Sequence, residues 1–174
     1  MSKKIRWGIL STARIGRRVI PAIHASRNGE VAAVGSRSLE RAEAWAAQQQ
    51  IPRAYGSYEE LLADGEIDAI YNPLPNSMHA EWSIKCAQAG IPTLSEKPFA
   101  SDAPEAQSIV DAFAERNLPL AEAFMYRFHR SMPKSSRSWL PAASASCKSS
   151  TAASLLPFRT KPTSGLARHL LAAR

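Results

Sequence analysis

The sequence predicts an α/β fold, a doubly wound and mostly parallel sheet with helices packed on it, and three observations carry that expectation. Short β-rich runs alternate with helical patterns from the N-terminus to about residue 125, the grammar of successive βα units. Six such runs with intervening helices suit a doubly wound sheet. At 174 residues and 45% hydrophobic content the chain can bury one good core and is too short for two of ordinary size.

The elements follow in order. Ile5–Leu10 is the first strand, and Arg14–Ser26 the first helix, with Ile15, Val19, Ile20 and Ile23 on one face. Val31–Gly35 reads as the second strand. Ser38 is a good N-cap for the next helix, which Pro52 stops. Arg53–Tyr55 is a short third strand, and Ser57 with Glu60 forms a capping box that starts a brief helix. Ile67–Pro73 is a buried fourth strand, after which Asn76 caps a helix that ends at Gly90. Pro92–Ser95 is the fifth strand, Ser101 caps a helix through about Arg116, and Leu118–Met125 is the sixth strand.

The net charge of +7 invites a nucleic-acid reading, but its distribution argues against one. Residues 1–129 hold 14 Lys and Arg and all 15 acids, while residues 130–174 hold 8 Lys and Arg and no acid. The apolar runs fall short of a bilayer span and the first residues lack a signal-peptide pattern, so neither a nucleic acid nor a membrane is expected as partner and the location expected is cytoplasmic. Cys86 and Cys147 have no metal or CxxC spacing and read as reduced thiols, with no metal site expected.

Candidate chemistry begins at the first βα turn. Gly8 to Gly16 runs directly from a strand into a helix, where a pyrophosphate can meet unpaired N–H groups, and Ser11, Thr12, Ala13, Arg14 and Ile15 are the candidate contacts. A dinucleotide fingerprint would place glycine at positions 11, 13 and 16; here stand Ser11, Ala13 and Gly16, all small. An ordinary tight turn is the other reading. At the end of the second strand, where an acid would hold the ribose hydroxyls of NAD, the chain has Ser36 and Arg37, with Arg41 one helical turn on. No carboxylate there repels a 2′-phosphate, which favours NADP over NAD as cofactor, unless both arginines are simply solvated. Glu96 and Lys97 sit in a Ser-Glu-Lys-Pro turn after the fifth strand, at the edge where ligands of such sheets bind, and Lys97 there can face the nicotinamide.

The Gly8–Gly16 turn, the segment from Tyr71 through Asn76 to His79, Glu96-Lys97-Pro98, and the run from Glu122 through Arg127 to His129 match in order and spacing the Gfo/Idh/MocA oxidoreductases. Residues 4–129 resemble that family, and most closely its branch of sugar and dihydrodiol dehydrogenases. The resemblance implies a Rossmann domain over residues 1–125, hydride transfer between a nicotinamide and a sugar, polyol or diol, and Lys97 as the catalytic proton carrier with Glu96 as its partner. It also implies cofactor contacts from Pro73, Leu74, Asn76, His79 and Arg127, His79 being equally readable as a first-turn helix residue without contact.

One departure follows from the same resemblance. Family members continue into a second α+β domain that walls the substrate site and carries the usual oligomer interface. Residues 131–174 contain no Asp, Glu, Asn, Gln, Val, Ile or Tyr, and 32 of the 44 are Ser, Ala, Pro, Arg or Leu. Residues 126–174 are therefore expected to be a remnant of the interdomain segment followed by a basic, out-of-frame or disordered tail, with the second domain absent. On that expectation the chain binds cofactor without turnover and lacks the oligomer interface. The competing reading is a genuine basic tail that binds RNA or an acidic membrane surface.

Overall fold

The structure is a computed structural model, and it describes residues 4–125. Six strands form one sheet: β1 (Ile5–Leu10), β2 (Gly29–Gly35), β3 (Arg53–Tyr55), β4 (Ala69–Asn72), β5 (Thr93–Ser95) and β6 (Leu120–Glu122). Their order is β3-β2-β1-β4-β5-β6 and every pairing is parallel. The chain winds outward from β1 to β3, then returns to place β4 on the other side of β1. That reversal opens a crevice at the carboxyl ends of β1 and β4, where ligands of such sheets bind.

Apolar residues on both sides of each central strand explain this topology. Trp7 and Ile9 of β1, Val31 and Val34 of β2, and Ala69 and Tyr71 of β4 pack with Ile20, Trp45 and Ile51. This layer lies under α1 (Gly16–Ala25) and α2 (Leu39–Gln49). Leu10, Ala33 and Ile70 point the other way and meet Tyr58, Leu61, Trp82, Cys86, Ile109 and Phe113. Those belong to α3 (Tyr58–Leu62), α4 (His79–Gln88) and α5 (Ala103–Glu115). Strands covered on both faces read as continuous apolar runs, as these do. A register shift after Trp7 pairs Gly8 with Ala33 and lets Val31 and Val34 share a face three residues apart.

β1 and β3 have their expected bounds; three helix starts differ from expectation. The N–H groups beginning the helix after β4 bond to backbone, Met78 to Pro75 and His79 to Asn76, in a 3₁₀ turn over Asn76–Met78. Asn76 therefore does not cap with its side chain. Before α5 the cap is Asp102, whose carboxylate accepts from Glu105 N–H, rather than Ser101. A carboxylate is the stronger acceptor and favours the positive end of the helix dipole. Ser57 does cap α3, but Glu60 reaches back to the N–H of Gly56, one residue further than the usual box.

The height of α1 above the sheet is fixed where it returns to β2. Ser26 Oγ donates to Ile23 O at 2.6 Å and accepts from Gly29 N–H at 2.9 Å. A Cβ on Gly29 would lie 2.7 Å from the Ile23 carbonyl and 2.5 Å from Ser26 Oγ. Backbone cannot give way there cheaply, so Gly29→Ala is expected to cost about 1–3 kcal/mol in urea unfolding. A variant as stable as the parent would show that this junction is loose.

Candidate cofactor-binding and active site

The first wall of the crevice is the turn between β1 and α1. Ser11 has φ +87°, a conformation that favours glycine and costs another residue on the order of 1–3 kcal/mol. Ser11 N–H donates to Gly35 O at 2.8 Å, pinning the turn to the end of β2. The chain thus makes the glycine-type turn without the first glycine. Gly16 N–H bonds to Ala13 O and tightens the entry to α1, which starts two residues later than expected. Among the described residues, the N–H groups of Thr12, Ala13, Arg14 and Ile15 have no acceptor, and Ser11 Oγ is buried without a partner.

Electrostatics reinforces that turn. Helices α2 to α5 each carry a glutamate in the first turn; α1 carries none. Arg14, Arg17 and Arg18 stand there instead, at the positive end of the helix dipole. Cations at that end are unfavourable unless an anion joins them. The donors, the orphan hydroxyl and the missing acid fit a bound pyrophosphate.

Ser36 and Arg37 continue from β2 beside this turn. Ser36 is buried and its N–H donates to Tyr55 O, while Arg37 is exposed. Burial raises the Tyr58 hydroxyl above its ordinary range, and the Arg37 guanidinium next to it pulls the other way. Arg41 lies exposed in the first turn of α2, its N–H capped by Ser38 Oγ. Neither arginine has a carboxylate within ion-pair distance among the described residues. They are open to an anionic group.

The second wall is built on two turns, after β4 and after β5. Asn72, wholly buried, organises the first: its amide donates to Ser83 Oγ at 3.2 Å and its Oδ1 accepts from Leu74 N–H at 3.3 Å. Its carbonyl accepts from Glu96 N–H, joining the turns. Pro73 and Leu74 are buried, and Asn76 is exposed at the rim. In the second turn Glu96 accepts from Tyr71 Oη at 2.6 Å and from Lys97 N–H at 3.2 Å. Burial and the Glu96 bond and charge hold the Tyr71 hydroxyl far above its ordinary range, so it stays a donor. The Lys97–Pro98 peptide is cis, and Phe99 N–H donates to Glu122 Oε1 at 2.9 Å. Lys97 is clamped through its backbone while its side chain is exposed.

The structure thus brings Ser11 through Ile15, Ser36, Arg37, Pro73, Leu74, Glu96 and Lys97 to one edge of the sheet. His79 differs: it is 1% exposed, with both ring nitrogens on backbone carbonyls, and lies beneath the site. Arg127 and the segment 126–174 lie outside the described residues. Tyr71, Asn72 and Glu122 stand inside the segments that carry the resemblance but were given no role from the sequence. What could have marked them is their position, at the ends of the strands that carry the two turns.

Elsewhere the chemistry is quieter. A cavity of about 470 Å³ opens at the opposite edge, lined by Lys4, Arg6, Arg53, Glu30 and Glu66 among others. Its cations are paired: Lys4 with Glu30, Arg6 with Asp68 and Glu66, Arg53 with Asp64 and Glu66. Burial pushes the Cys86 thiol up to about 12, against a small opposing effect of Thr93, so it stays unreactive. Among the described residues no acid, His and Cys cluster is placed to hold a metal, and no helix is long and apolar enough to cross a membrane.

Comparison with known proteins agrees with this geometry. The model of the Gfo/Idh/MocA family, described as an oxidoreductase family with an NAD-binding Rossmann fold, matches residues 5–124. D-xylose 1-dehydrogenase (NADP(+)) 2 of Haloferax volcanii is 50% identical over 124 residues, 71% of this chain and 38% of that protein. Trans-1,2-dihydrobenzene-1,2-diol dehydrogenase of Xenopus laevis is 38% identical over the same shares. The crystal structure of a 3-ketoreductase from Actinomadura kijaniata with NADP and TDP-benzene superposes with a TM-score of 0.71 at 34% identity, covering 79% of this chain and 41% of that one. The chain spans about 38% of the length of the curated relatives it matches. With its parallel sheet, its pyrophosphate-type turn and that match, the chain belongs to the Gfo/Idh/MocA oxidoreductases, and what is described of it is their NAD-binding Rossmann domain.

Proposed function

We propose that this chain is the cofactor-binding part of an NADP-dependent oxidoreductase that acts on a carbinol carbon of a sugar, polyol or diol. The observation that carries the binding role is the run of four N–H groups from Thr12 to Ile15 without an acceptor among the described residues, in a turn where Ser11 Oγ is buried with no partner among them. These groups, with the dipole of α1, would hold the pyrophosphate. Arg37 and Arg41 would hold the 2′-phosphate, and Pro73, Leu74 and Asn76 would line the nicotinamide side. The relatives named for xylose and a dihydrodiol support the substrate class.

When bound, the nicotinamide supplies or accepts the hydride. Lys97 is held at the rim of the crevice by its neighbours: Glu96 is oriented by Tyr71, and Phe99 by Glu122. From there its amine can take the hydroxyl proton as a carbinol becomes a carbonyl, and return one in the opposite direction. For that step the substrate carbon must be held about 3–3.5 Å from the nicotinamide. NADPH fluorescence titration of the 174-residue chain tests the binding half. Saturable binding is expected; its absence would remove the foundation of the proposal.

A further inference from the structure

The stretch after β4 that forms the second wall, Asn72-Pro73-Leu74-Pro75-Asn76, is poor in backbone donors. Pro73 and Pro75 have no N–H, so between Asn72 and Asn76 only Leu74 holds one. Asn72 Oδ1 takes that N–H inward at 3.3 Å. The Leu74 carbonyl lies 2.7 Å from His79 Nε2, and the Pro75 carbonyl accepts from Met78 N–H at 2.8 Å. Among the described residues the Pro73 carbonyl has no donor, which makes it the one backbone polar group of residues 73–75 left without a partner.

Asn72 is itself tied to three elements. Its Nδ2 donates to Ser83 Oγ of α4 at 3.2 Å, and its backbone carbonyl accepts from Glu96 N–H at 3.0 Å, at the start of the Lys97 turn. Asn72 and Ser83 are both 0% exposed. A buried amide costs free energy unless both its ends are bonded, and both ends are bonded here. From this geometry we infer that Asn72 is a positioning residue: its side chain withdraws the wall's only N–H and fixes Pro73 and Leu74 against α4 and the Lys97 turn. The wall then meets a ligand with the Pro73 carbonyl and the apolar faces of Pro73 and Leu74. Such a wall takes a neutral group that donates a hydrogen bond, such as a hydroxyl or a carboxamide, and offers an anion nothing. The Ser11 turn, with its bare N–H groups, has the opposite character. The inference rests on the cofactor reading above for its consequence, whereas its geometry stands apart from it.

Two measurements test the role. In amide hydrogen exchange of the cofactor-free chain, Leu74 N–H is expected to be protected although it belongs to no strand or helix; exchange at the rate of an open chain would show that Asn72 does not hold it. Asn72→Ala is expected to speed that exchange and to weaken NADPH binding about threefold to tenfold. It should leave 2′,5′-ADP, which lacks the nicotinamide half, bound as before. Asn72→Ser, whose hydroxyl can accept more weakly from the N–H two residues on, is expected to fall between the alanine variant and the parent. Equal weakening of both ligands would mean a general structural role, and undiminished NADPH binding would also overturn the inference. Should Asn72→Ala fail to fold, Ser83→Ala removes one bond of the amide and carries the same comparison, with an equal or absent loss counting against the role. If the parent binds neither ligand, the cofactor reading fails and the positioning role falls with it, while the exchange of Leu74 still reports on the local geometry.

Discussion

NADPH is expected to bind this chain on the order of tenfold to a hundredfold more tightly than NADH, and Arg37→Ala to erase most of that difference. The two cofactors differ only in the 2′-phosphate. At the end of β2, where a carboxylate would accept from a ribose hydroxyl and repel that phosphate, the chain has Ser36 and exposed Arg37. A hydrogen bond to a charged group contributes roughly 1.5–3 kcal/mol, which sets the size of the preference. Arg41, one turn into α2 and so further from the end of β2 than Arg37, is expected to contribute less. Calorimetry with both cofactors at two salt concentrations measures this. The preference should shrink at high salt, and tighter NADH binding would refute the assignment of the arginines.

The second large effect is expected in turnover. The Rossmann part alone, residues 1–125, is expected to bind NADP(H) and, supplied with NADP(+), still to oxidise no xylose, glucose or dihydrodiol at a useful rate. Lys97 stands at an exposed rim, and nothing among the described residues closes over it to hold a substrate carbon in line. Joining residues 1–125 to the remaining part of the Haloferax volcanii relative tests whether that part supplies such a wall. In that chimaera Lys97→Met is expected to lower kcat by about 10²–10⁴ while NADPH affinity changes little. An active short chain would contradict the need for a further wall, and full activity of the chimaera carrying Lys97→Met would contradict the proton-carrying role of the lysine.

Much of the frame was legible because burial leaves a periodic trace. β1 and β3 have their expected bounds, and six strands with intervening helices suit the doubly wound sheet that forms, whose order only the structure gives. β4 and β6 are shorter than expected because the apolar run continues into turns: Pro73 and Leu74 are buried without being strand. Caps were harder to read where two acceptors stand side by side, as at Ser101 and Asp102. The pyrophosphate turn had a weak signature because Ser11 occupies a backbone conformation that usually selects glycine. The supports of the site were least legible. Tyr71, Asn72 and Glu122 act through hydrogen bonds to residues 25, 11 and 23 positions away, and no local pattern announces such partners.

On the proposed function a dinucleotide lies along the carboxyl edge of the sheet, from the Ser11 turn to the Lys97 turn. Amide NMR of the chain titrated with NADPH tests this most directly, since it reports where the ligand sits without requiring turnover. The N–H signals of Thr12, Ala13, Arg14 and Ile15 are expected to shift most, with Ser36, Arg37, Leu74 and Lys97 following at the same ligand concentration. Shifts confined to Arg6, Arg53 and Glu66 around the opposite cavity, or none at saturating NADPH, would contradict the account.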